Sequence, residues 1–122
     1  MLDRETLLSQ LPIVFPPQAW EGEAAPHGCE ECSAMSEYLE GKSWADVEGS
    51  FVDEYEGSLP LLSPAAYHAF LPAWLRWCIV APERQAVGSP LVNLECQEEL
   101  SLFTGPQKLL VRDAAHFIAA NN

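Results

Sequence analysis

The fold turns on Ser63-Pro64-Ala65-Ala66-Tyr67-His68-Ala69-Phe70-Leu71-Pro72-Ala73-Trp74-Leu75-Arg76-Trp77-Cys78-Ile79-Val80. Serine is a preferred helix cap, and proline is welcome at the first helical position, where its missing N–H would have no partner anyway. The pair therefore predicts a helix beginning at Pro64. The residues from Ala65 to Val80 are apolar on nearly every side, and a helix of that kind belongs in the middle of a bundle. Pro72 deletes one backbone donor and crowds the carbonyl of His68, which predicts a kink or break there. The wider apolar stretch from Leu59 to Pro82 is interrupted by His68, Arg76, Pro60, Pro64 and Pro72. It reads as a buried helix and not as a membrane span.

Working outward toward the N-terminus, Phe51, Val52 and Tyr55 carry an apolar face up to Gly57, preceded by a short helix that Ser43 can cap. Trp44 and Val47 recur there at i, i+3, with Asp46 well placed in the first turn. From Glu30 to Leu39, Met35 and Leu39 fall at i, i+4 beside Cys32 while Glu30, Glu31, Glu37 and Glu40 face water, and Gly41 fits the helix end. Residues 12 to 28, with Pro12, Pro16, Pro17, Pro26 and Gly28, read as an extended connector pinned to the core by Trp20. Asp3 can cap a first helix through Leu11, with Leu7, Leu8 and Leu11 on one face and Pro12 expected to stop it.

Toward the C-terminus, Ser89-Pro90 repeats the start signal before a weaker segment, Leu91 to Leu100. A last helix opens at Thr104-Gly105-Pro106 and runs to about Ala120. Leu110, Ala114, Phe117 and Ile118 form its apolar stripe, with Gln107, Lys108, Arg112 and Asp113 outside it. No stretch alternates convincingly as a strand and no repeat has a fixed period. The expected fold is all-α, a compact bundle of five or six helices around a kinked, buried central one. A length of 122 residues is a common single-domain size, so residues 1–122 are read as one helical domain.

Charge is the dominant global feature, with 18 acids against 6 bases and a net charge of −12. Between Glu21 and Glu56 eleven acids stand against Lys42 alone, so this third of the chain holds −10 of the total. Such a field repels nucleic-acid phosphates and anionic lipid and attracts basic partners at salt-sensitive rates. No nucleic-acid or membrane partner is expected. The plain alternative is that these acids only keep the chain soluble. Met1-Leu2-Asp3-Arg4-Glu5 has neither the cationic start nor the apolar middle of a secretory signal. A cytoplasmic location is expected, where cysteines stay reduced or bind metal.

Cys29, Cys32, Cys78 and Cys96 are the four cysteines. His27-Gly28-Cys29-Glu30-Glu31-Cys32 is the only local cluster of ligand-type side chains, and His27, Cys29 and Cys32 are zinc-type donors that Cys96, Cys78 or His68 would complete. A structural zinc site usually shows two such pairs. The competing reading leaves the cysteines around a helix start, with Cys32 buried as a small apolar side chain. A thioredoxin-like site needs a preceding strand, and no βαβ pattern surrounds the pair. A zinc deaminase is rejected, because no histidine precedes His27 and Pro26 is not followed by cysteine. Phosphate loops, nucleophile elbows and His-Glu-x-x-His are absent. Nothing in the sequence argues for an enzyme.

From Leu59 to Leu75 the chain resembles an uncharacterised family of small acidic bacterial proteins, with a leucine-rich turn, a Ser/Thr-Pro helix start, an aromatic residue and Leu-Pro-Ala-aromatic-Leu. Trp44 looks like that family's tryptophan. Phe103-Thr104 to Phe117, with Gln107 after the helix start, looks like its closing segment. The resemblance covers about residues 43 to 118 with gaps. It brings no reaction, cofactor or catalytic residue, and implies only an analogy to small acidic immunity or accessory proteins. The expected function is a non-enzymatic interaction domain that docks a basic protein through Glu30, Glu31, Glu37, Glu40, Asp46, Glu48, Asp53 and Glu54, as an immunity protein docks a toxin. The alternative is a small-molecule binder or enzyme built around Trp74, Trp77 and His68. No cofactor is expected beyond the zinc considered at the cysteines.

Overall fold

The computed structural model describes residues 3–26, 28–55, 61–81 and 103–121. These residues form five α-helices and one 3-10 turn, with no strand among them: α1 (Arg4–Val14), α2 (Glu30–Leu39), η1 (Trp44–Asp46), α3 (Gly49–Glu54), α4 (Pro64–Val80) and α5 (Gly105–Asn121). The Ser89-Pro90 start and the segment from Leu91 to Leu100 lie outside the described residues, as do His27 and Cys96.

Helix α4 is the hub, touching α1, η1, α3 and α5. Ser63 caps it as the sequence requires, its hydroxyl accepting from the Ala66 N–H at 3.2 Å. Tyr67, Phe70, Leu71, Trp74, Leu75, Cys78 and Ile79 are all buried, so its flanks are covered on nearly every side. The helix runs through Pro72 without a break. Pro72 is itself buried, and packing on all sides holds the turn that its ring would otherwise open.

Helix α1 departs from expectation, because it continues past Pro12 to Val14. Asp3 caps it, the carboxylate accepting from Thr6 N–H at 2.8 Å. Leu7, Leu11 and Phe15 are buried on one stripe, whereas Pro12 is exposed. Burying a phenylalanine is worth about 1.5–3 kcal/mol, comparable with the roughly 3 kcal/mol cost of a helical proline. Carrying the helical path far enough to seat Phe15 therefore offsets the local penalty. Phe15 N–H closes the end on Leu11 C=O at 2.8 Å.

The described residues of the connector after α1 form neither helix nor strand, yet they are tied down at three places. Trp20 N–H donates to Lys42 C=O at 2.9 Å and Trp20 C=O accepts from Gly41 N–H at 2.8 Å, while its indole packs edge-on to Phe70 at 5.9 Å. Ala24 and Ala25 are buried, and the Ser36 hydroxyl exchanges hydrogen bonds with the Ala25 backbone. Ser63 N–H reaches Ala24 C=O at 2.9 Å, anchoring the start of α4 to the same segment. Gly41 has a φ of 77°, in the left-handed region that a glycine after a helix supplies.

Candidate functional site

Three places among the described residues carry chemistry. The first is the acidic surface. Glu30, Glu31, Glu37, Glu40, Asp46, Glu48, Asp53 and Glu54 are all exposed, on or beside α2, η1 and α3. These elements leave them outside because Cys32, Met35, Leu39, Trp44, Val47, Phe51 and Val52 take the inward positions. The two nearby cations are committed to backbone and rings. Lys42 Nζ donates to Tyr38 C=O at 2.9 Å and lies 4.4 Å from the Tyr38 ring centre. Arg76 donates to Val47 C=O at 2.7 Å and Ala45 C=O at 3.3 Å, with its guanidinium 5.4 Å from the Trp44 ring centre. Burial lowers the Arg76 pKa and Asp46 opposes that, so the side chain remains a cation. Asp46 is held below the ordinary carboxylate value by Ser43, whose N–H and hydroxyl donate to it at 3.0 and 3.1 Å.

The second is the cysteine pair. Cys29 is the N-cap of α2, exposed, and its sulfur accepts from Cys32 N–H at 3.2 Å. Cys32 sits one turn on, fully buried, with the two Sγ atoms 2.7 Å apart. The Cys29 thiol is held below its ordinary value, first by the Cys32 side chain and then by the Cys32 N–H, while Glu31 pushes the other way. Among the described residues no three histidine, cysteine or carboxylate side chains gather as a metal site. Cys78 is buried in α4.

The third is a cavity of about 240 Å³ lined by Phe15, Pro16, Gln18, Trp44, His68, Ala69 and Gln107. Trp74 and Trp77 do not line it. Trp74 is fully buried, with its indole N–H 3.4 Å from Tyr55 C=O, and Trp77 packs over Gly49. His68 therefore faces a different set of side chains from the two tryptophans.

Gln107, expected on the solvent side of α5, is buried at 7% exposure. Thr104 caps α5 through its hydroxyl, which accepts from Gln107 N–H at 3.2 Å, and Gln107 Oε1 accepts from Thr104 N–H at 3.0 Å in return. The Gln107 amide reaches further. Its Nε2 donates to Val14 C=O at 3.0 Å, and its Oε1 lies 2.9 Å from His68 Nε2. With Nε2 of the amide committed as a donor, Oε1 is the acceptor, so His68 Nε2 carries the proton. One side chain thus knots the end of α1, the first half of α4 and the start of α5. The Thr-x-x-Gln spacing is a capping-box signal that the sequence offered, while the reach to Val14 and His68 is not local.

Several of the polar groups at the cavity are thus bonded within the protein. Trp44 Nε1 is spent on Phe15 C=O at 2.8 Å, and Gln107 uses both ends of its amide. Compared with known protein families, curated proteins and solved structures, the chain matches none.

Proposed function

We propose that this is a protein-interaction domain whose acidic surface, between Glu21 and Glu56, docks a basic protein partner in the manner of an immunity protein. The observation that carries this reading is the set of exposed glutamates Glu30, Glu31, Glu37, Glu40, Glu48 and Glu54, beside which Lys42 and Arg76 donate to backbone carbonyls and favour the charge of Asp46. Among the described residues no lysine or arginine pairs with Glu30, Glu31, Glu37, Glu40, Glu48 or Glu54. Uncompensated charge of one sign on one segment speeds and selects the approach of its opposite. The reading as a small-molecule binder is less well supported, because Trp74 and Trp77 do not line the cavity beside His68, and Trp44 Nε1, His68 Nε2 and the Gln107 amide there are already bonded within the protein.

The test is affinity capture from the native cell at rising salt, with the parent and with a Glu30→Gln, Glu31→Gln, Glu37→Gln, Glu40→Gln variant. A partner of basic isoelectric point should be retained at low salt, released as salt rises, and lost from the variant while its circular dichroism stays unchanged. Capture of nothing at low salt, or of a partner that the variant holds equally well, would sink the reading.

A further inference from the structure

We infer that Cys29 and Cys32 form a redox-active dithiol that exchanges with disulfides borne on positively charged molecules. This rests on the two thiols and their surroundings, and it stands or falls independently of the docking reading.

The two thiols are unequal. Cys29 is exposed at the cap of α2, where an incoming disulfide can reach it, and Cys32 is wholly buried one turn later. The Cys32 N–H donates to the Cys29 sulfur at 3.2 Å, and the Cys32 sulfur lies beside it. A negative sulfur is favoured by such a donor and by the positive end of the helix. The sulfur atoms stand 2.7 Å apart, so a bond of about 2.05 Å needs little movement. The helical cap fixes this geometry without any strand. That no strand occurs among the described residues therefore removes support for the thioredoxin comparison but not the chemistry.

The step balances with a disulfide, RS–SR, as oxidant. The Cys29 thiolate attacks one sulfur, the Cys29–SR bond forms, and one RS⁻ leaves and takes up a proton. Cys32 then gives its proton to solvent and attacks the Cys29 sulfur. The Cys29–Cys32 bond forms and the second RS⁻ leaves. Two protein thiols lose two electrons, and one disulfide becomes two thiols. The reverse reduces the pair.

The charge preference comes from the neighbours. Glu30 and Glu31 are exposed in the first turn of α2 and Glu37 and Glu40 near its end, and the sequence has no lysine or arginine between Glu21 and Lys42. Their field concentrates cationic disulfides at Cys29 and repels anionic ones, within a screening length of about 10 Å at 0.1 M salt.

The experiment uses the reduced, full chain with cystamine, a dication, and with oxidised glutathione, an anion. Disulfides are located by peptide mapping, zinc is measured on protein purified without chelator, and rates are normalised to those of the chain unfolded in urea. A Cys29–Cys32 disulfide should form, and a Cys29-linked mixed disulfide should accumulate in Cys32→Ser. Cystamine should react about tenfold faster than glutathione at low salt, with the gap closing as salt rises. If no Cys29–Cys32 disulfide forms with either reagent, if Cys29 pairs instead with another cysteine, or if stoichiometric zinc occupies the pair, the dithiol is refuted. A normalised rate that does not favour cystamine refutes the charge preference. The parent measurements decide the matter even should Cys32→Ser fail to fold.

Discussion

Gly49 shows how little room a single residue can have. A Cβ built at this position would fall inside 3.0 Å of three atoms of the Trp77 ring. The indole is half-buried and rigid, so either it or the start of α3 must shift. Gly49→Ala is therefore expected to destabilise by about 1–2 kcal/mol, an overpacking cost larger than the roughly 0.5–1 kcal/mol that alanine brings to a helix. Urea denaturation reads it, and an unchanged or raised midpoint would refute the contact. Gln107 is the opposite case, a residue that looks dispensable in sequence. Gln107→Ala strands Val14 C=O, Thr104 N–H and His68 Nε2 together and should cost about 2–3 kcal/mol. Thr104→Ala removes only the reciprocal cap and should cost about 1 kcal/mol. Equal costs for the two variants would mean that Gln107 acts within α5 alone. The Thr104-x-x-Gln107 spacing, read above only as a helix start with Gln107 facing outward, could have shown the capping half of its role, but not the other half, because Val14 and His68 come from elements far away in the chain.

At the scale of the element, caps were the legible feature and stops were not. Asp3, Ser43 and Ser63 stand where the sequence places them, since a cap needs only a short side chain and the next turn. Pro12 was misleading because its effect is decided by what lies beyond it, and Phe15 repays the continuation by filling the core. The caps also carry a pH dependence. Asp3 and Asp46 both titrate below the ordinary carboxylate value of 3.8, through the donors of Thr6 and Ser43 respectively. A depressed folded pKa contributes stability that is present above the unfolded value and is lost as pH falls through the folded one. Asp46→Asn should thus be less stable than the parent at pH about 7, and it should lose less than the parent on acidification to pH about 2–3. Urea midpoints at the two pH values measure the difference. Equal losses in parent and variant would show that the Ser43 contacts do not hold in solution.

For the whole molecule, the question is what a net charge of −12 does to the fold that carries it. The exposed acids of α2, η1 and α3 repel one another across water, while Lys42 and Arg76, bonded to backbone carbonyls, act on Asp46. Self-repulsion of that kind opposes the compact state and is screened by salt, with a Debye length of about 30 Å at 0.01 M and about 3 Å at 1 M. Raising sodium chloride from about 0.01 to 0.5 M should therefore raise Tm. Relief of about 1 kcal/mol corresponds to roughly 3–5 °C for a domain of this size. Replacing Glu37, Glu40, Glu48 and Glu54 by glutamine should give much of that gain at low salt and flatten the salt response. These four avoid the first turn of α2, where Glu30 and Glu31 favour the helix dipole. The same variant separates solubility from docking. Its net charge of −8 still lies at the upper end of the magnitude of about 2–8 that keeps small domains soluble. A variant that matches the parent in solubility and oligomeric state, melts higher and loses its basic partner would mean that the extra acids serve recognition at a cost in stability. A flat or falling Tm with salt in the parent would instead mean that the carboxylates do not destabilise the fold.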